Sequence, residues 1–134
     1  MTQNLSKQKE LYQQARARVF DLAKSLTDDQ LETQNKACPG WTVRDTIYHQ
    51  AGLAKDVVDG NIQGSPEWSQ KQIDDRNGMS VEDVLQEWEK TAETLEPMLE
   101  NPKLFFATAD LGSHELDIKK TLGLPIDKQD PIIE

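Results

Sequence analysis

Cys38-Pro39-Gly40-Trp41-Thr42-Val43-Arg44-Asp45-Thr46-Ile47-Tyr48-His49 is the run whose reading decides the fold. Cys38-Pro39-Gly40 breaks the chain. Thr42 then stands where a helix needs an N-cap, with Asp45 at the third helical position in place of the Glu of a capping box. Such side chains bind the backbone N–H groups that a first turn leaves without partners. From Val43 the apolar residues Ile47, Ala51, Ala54 and Val58 recur at helical spacing up to Asp59, and Gly60 supplies the stop. A helix with one apolar stripe must pack against others. This one also carries His49, at the margin of the stripe.

Upstream, Tyr12, Ala15, Val19, Leu22, Ala23 and Leu26 mark a helix over about Ser6 to Ser25. Thr27 to Leu31 reads as a turn or one-turn helix, and Gln34 to Gly40 as a polar connector. Downstream, the pattern fades from Asn61 to Met79, punctuated by Gly64, Ser65-Pro66 and Asn77-Gly78. That stretch reads as a long crossover, with Ser65-Pro66 able to open a short helix. Ser80 caps a third helix with Val84, Trp88, Thr91, Leu95 and Met98 on one stripe, and Pro97 bends or ends it early. After Asn101-Pro102, a fourth helix is expected from Thr108 to Leu122, its apolar face Leu111, Ile118 and Leu122. Gly112 weakens it by roughly 1 kcal/mol relative to Ala, so packing or a ligand must hold it. No repeat or strand-like alternation interrupts this. The expectation is an all-α four-helix bundle, one domain over residues 1–134, with its long crossover between the second and third helices.

Composition narrows the function classes. A formal charge of −9 on 134 residues argues against nucleic acid and anionic membrane surfaces as partners. No apolar run approaches the ~18 residues of a membrane helix, and a single cysteine forms no internal disulfide. The cytoplasm is the default compartment.

Two histidines are available, His49 and His114, and Asp110 precedes the second by four residues. On a helix, Asp110 and His114 share one face. Two neutral imidazoles and a carboxylate bind a divalent ion and leave positions free for water or substrate, the pattern of catalytic zinc and one that also suits iron or nickel. The bland alternative is two packed or solvated histidines, which spacing alone leaves open.

Other residues compete less well. Cys38 could be a nucleophile, but no base is tied to it by spacing, and a small buried cysteine is the plainer reading. Asp117 could orient the His114 ring, or pair with Lys120 or Thr121. Glu115 is expected in solvent. Trp41, Trp68 and Trp88 read as packing residues, with Trp68 in the crossover the one placed to touch a substrate. Trp88 and Leu95, large and central on their stripe, make a homodimer an open expectation.

CPGWTVRDTIYHQAGLAKDVVDG at 38–60 and ADLGSHELDIKKTLGLP at 109–125 together resemble the metal-binding N-terminal domain of the mycothiol-dependent maleylpyruvate isomerase family, within the DinB-like group. The family pattern is PGWxVRDxxxH on the second helix and acid-xxx-His-xx-Asp-Ile-Arg-xx-Leu-Gly on the fourth. Lys119 stands where that pattern has Arg, and Asp110 where Glu is frequent. The resemblance implies a DinB-like bundle holding a divalent metal, usually zinc, through His49, Asp110 and His114. It further implies a low-molecular-weight thiol that attacks a small-molecule electrophile, by S-transfer or by double-bond isomerisation. A non-catalytic metal-binding or regulatory module is the alternative, since fold does not fix function. Members commonly continue into a C-terminal domain, whereas this sequence ends soon after its fourth helix.

Overall fold

In the computed structural model, which describes residues 2–126 with side chains from Lys7 onward, Thr42 caps its helix as the sequence predicts. Its hydroxyl accepts from the Asp45 backbone N–H at 3.1 Å, and the Asp45 carboxylate accepts from the Thr42 N–H at 2.9 Å. Gly60 closes the helix in the left-handed conformation at φ 75°, which a side chain would resist. The run Asp130-Pro131-Ile132-Ile133-Glu134 lies outside the described residues.

The elements are α1 (Thr2–Ser25), α2 (Asp28–Leu31), α3 (Val43–Asp59), α4 (Pro66–Asp74), α5 (Val81–Met98), a 3-10 turn at Pro102–Leu104 and α6 (Phe105–Leu122). The four long helices pack in the cyclic order α1, α5, α3, α6, so α1 and α3 are diagonal partners across the core. Helix α4 lies in the crossover and packs on α3. Among the described residues the only strand-like pairing is one antiparallel bridge, Gln34 to Thr42, which ties the polar connector to the start of α3. The expected all-α bundle with its crossover is what forms.

The predicted stripes meet in one core. Trp88, Leu95, Val84, Ile47, Ala51, Val43 and Leu111 are fully buried. Trp88 donates its indole N–H to the Tyr12 hydroxyl at 2.9 Å and meets the edge of Phe20 at 5.0 Å between centroids. Trp88 and Leu95 are therefore used up inside one chain, and the dimer surface expected from them does not exist there. The exposed large apolar side chains are Ile62, Phe105 and Phe106.

Three boundaries differ from expectation. Helix α1 begins at Thr2, before Ser6. Helix α6 begins at Phe105, ahead of Thr108, because Asn101 accepts from the Lys103 N–H and Pro102 starts a 3-10 turn that runs straight into it. Pro97 sits in the last turn of α5, which runs one residue past it to Met98.

Glu115 is the clearest correction. It is only 1% exposed, not in solvent. Arg18 of α1 grips it with Nε at 2.8 Å and Nη2 at 3.0 Å, and Lys119 adds a contact at 2.9 Å. The α1–α6 packing brings this cation over, which no spacing within α6 could announce. Arg18→Ala should lower unfolding free energy by about 2 kcal/mol in urea titration, less than the full cost of stranding a buried charge because Lys119 stays.

Candidate metal centre

The cap at Thr42 fixes where α3 starts and hence where His49 points. It points across the bundle at α6. His49 Nε2 lies 3.1 Å from Asp110 Oδ2, and His114 Nε2 lies 3.5 Å from Asp110 Oδ1. The two imidazole rings stand nearly perpendicular, 5.2 Å apart. One donor atom from each of His49, Asp110 and His114 falls within 4.8 Å of the others. The helix spacing thus brings together all three residues picked out from the sequence.

The hydrogen bonds behind the rings decide which nitrogen faces inward. Asp56 accepts from the Gln72 amide nitrogen at 2.9 Å, so Gln72 must turn its oxygen the other way. That oxygen lies 2.6 Å from His49 Nδ1, which therefore carries the proton. His49 Nε2 is then the ring atom that faces the Asp110 carboxylate. Asp117 Oδ2 stands 3.4 Å from His114 Nδ1 and imposes the same tautomer there. A proton on Nε2 satisfies each contact when no metal is bound; with that proton displaced, two imidazole nitrogens and one carboxylate make a donor set that fits a divalent metal.

The same contacts move the pKa values of Asp110 and His114. Burial alone would raise the Asp110 pKa, but hydrogen bonds from His114 and His49 outweigh it and hold the carboxyl well below the usual range. Burial would lower the pKa of His114; Asp110 and Asp117 outweigh it and raise that pKa. Gln50 adds a 2.8 Å bond to Asp110 Oδ2.

The three ligand residues open into a cavity of about 540 Å³, walled by Cys38, Trp41, Trp68 and Phe106 among others. The Trp41 ring sits 5.0 Å from that of His49, and its N–H reaches Gln70 of α4 at 3.0 Å. Trp68 is 8% exposed and its indole N–H has no partner among the described residues. Cys38 is a half-exposed wall residue, not a buried one, with Sγ 3.9 Å from His114 Nδ1. Burial, then Asp117 and Asp110, push its thiol pKa up, which disfavours a nucleophilic role. A larger cavity of about 780 Å³ is bounded by Phe20, Leu31, Tyr48, Met79 and Leu85, and neither group of candidate metal donors among the described residues lies in it.

Sequence reasoning missed Gln72, Asp56 and Gln50. A usable signal was present: Trp68 and Gln72 stand four residues apart, on one face of the short helix that Ser65-Pro66 opens. Gln72→Leu removes the acceptor that fixes the His49 tautomer. It should cost between about tenfold and a hundredfold in metal affinity, read by competition against a chelator.

A family model described as the mycothiol maleylpyruvate isomerase N-terminal domain matches residues 12–103. The match takes in His49 and Gln72; Asp110 and His114 lie beyond it. Comparison with curated proteins and with solved structures found no significant match.

Proposed function

The chain belongs to the mycothiol maleylpyruvate isomerase N-terminal domain family, a DinB-like group of metal-binding domains, and on that premise we propose that it is a metal-dependent low-molecular-weight-thiol S-transferase or isomerase. His49, Asp110 and His114 hold a divalent ion, zinc first, with nickel or iron as alternatives. The observation that carries this reading is the convergence of the His49 and His114 Nε2 atoms on one carboxylate, each ring backed by its own acceptor. A divalent ion bound there supplies Lewis acidity, lowering the pKa of a coordinated thiol.

The remaining roles fall to the chain. Gln72 and Asp117 keep both imidazoles in the ligating tautomer. Asp110 offsets part of the cation's charge, steadied by Gln50. Trp41, Trp68 and Phe106 form the walls against which an electrophile is held, and they limit water near the reacting sulfur. A low-molecular-weight thiol cosubstrate fits a cytoplasmic setting. No helix among the described residues is long and apolar enough to cross a membrane.

A non-catalytic metal-binding module is the second reading. It is favoured by the cavity walls, which, apart from the ligands and Cys38, offer no general acid or base. Zinc-loaded protein assayed with mycothiol, bacillithiol and glutathione against a chromogenic electrophile separates the two. The enzyme reading expects turnover with one thiol, lost in His49→Ala. Turnover that survives His49→Ala rules it out, and bound zinc without turnover with any thiol leaves the module.

A further inference from the structure

An enzyme's pocket has to supply what its substrate carries, and here the supply is one-sided. The walls of the metal cavity include Trp41, Trp68, Phe106, Leu53, Pro39 and Pro66. Among the described residues neither Lys nor Arg lines it, and the uncharged polar side chains on its wall belong to Ser69 and Gln70. The fold also holds no spare guanidinium for a carboxylate. All four arginines are already bound to acids: Arg16 to Glu96, Arg18 to Glu115, Arg44 to Glu32 and Arg76 to Glu87. Bidentate arginine is the usual clamp for a carboxylate, and none is free to serve as one. Asp110 puts a negative charge at the cavity floor, and the chain as a whole carries −9.

Resting on the thiol-transfer reading above, we infer that the electrophile this site takes is uncharged and flat, an aromatic or conjugated molecule, and not a dicarboxylate. The metal's two positive charges are met by Asp110 and by an incoming thiolate, so the centre keeps no net charge with which to attract a second anion. A carboxylate entering beside it would lose its hydration and gain no ion pair, a cost of several kcal/mol. A flat neutral ring loses little and gains contact with Trp41, Trp68 and Phe106, whose faces favour stacked or edge-on partners. Phe106, 37% exposed at the first turn of α6, is the aromatic wall residue most open to solvent and so the first ring such a molecule meets.

Dimethyl phthalate and phthalate share one ring and differ in charge, and neither reacts with a thiol. Their binding to zinc-loaded protein, followed by tryptophan fluorescence and calorimetry, tests the preference without relying on activity. With a small thiol present, the diester should bind at least about tenfold more tightly than the dianion. Phe106→Ala, a change at an exposed position, should weaken the diester and leave phthalate unmoved. Ser69→Arg, which offers a guanidinium to the cavity, should narrow or reverse the order. Phthalate binding as tightly as the diester, or a diester indifferent to Phe106→Ala, overturns the inference. Zinc content measured on the same samples keeps the two claims apart: protein that takes up no zinc overturns the metal reading itself, whereas zinc-loaded protein that prefers phthalate overturns only the substrate class.

Discussion

His49→Ala should reduce zinc affinity by more than about a hundredfold, the upper end of what changes behind the ligands cost. The residue supplies one of three protein donors, and its Nε2 is already turned inward by Gln72. Gln50, one residue along α3, does not stand in for it, being engaged with Asp110. Competition against a chromogenic chelator gives the affinity directly. Since His49 is 4% exposed and its loss strands the Gln72 oxygen, some stability is lost as well, about 1–3 kcal/mol. His114→Ala provides the control. His114 lies nearer the cavity mouth, and its side chain is 14% exposed, so its replacement should remove as much zinc affinity at a smaller cost in stability. Wild-type affinity in either variant would remove the site.

The second large effect lies at Gly52, which is not a donor and stands one turn along α3 from His49. Alanine in the middle of a helix ordinarily stabilises it relative to glycine by about 1 kcal/mol. Here the sign should invert. A Cβ at position 52 would sit 2.5 Å from the Gln72 Cβ and 2.9 Å from Arg76 Nη1. The first of these is the root of a side chain, not its flexible end, so α4 has to move. Overpacking of this kind costs about 2 kcal/mol, readable as a lower urea midpoint with an unchanged slope. Because α4 carries Gln72, the same substitution should lower zinc affinity by roughly the tenfold or more expected of Gln72→Leu. Gly52→Ala that stabilises the protein would mean that α4 is not seated as described.

These two effects mark what the sequence could and could not reveal. The meeting of His49, Asp110 and His114 was legible because a capped α3 and the four-residue step from Asp110 to His114 fix side-chain direction within a helix. The family pattern then joined the two halves. The bundle was legible for the same reason, its stripes on α3 and α5 being strongly periodic, while that on α6 is weak. What escaped were contacts set by how helices meet. Gln72 reaches His49 because Gly52 lets α4 approach α3, and Arg76 holds α4 to α5 through Glu87 at 2.8 and 2.9 Å. Glu115 looked like one more surface acid of a highly acidic chain until Arg18 of α1 covered it. Cys38 gave no sign of lying near a histidine, since its neighbour His114 comes from the far end of the chain.

That contact also defines the sharpest test of the metal centre. Cys38, His114 and Asp117 form a second group of donors, sharing His114 through its other nitrogen. X-ray absorption at the zinc edge, on protein loaded with one equivalent and no thiol added, distinguishes the two groups. The expected spectrum shows two imidazoles with only oxygen and nitrogen in the first coordination sphere. A sulfur scatterer at about 2.3 Å would place the metal on Cys38 and contradict the His49–Asp110–His114 centre.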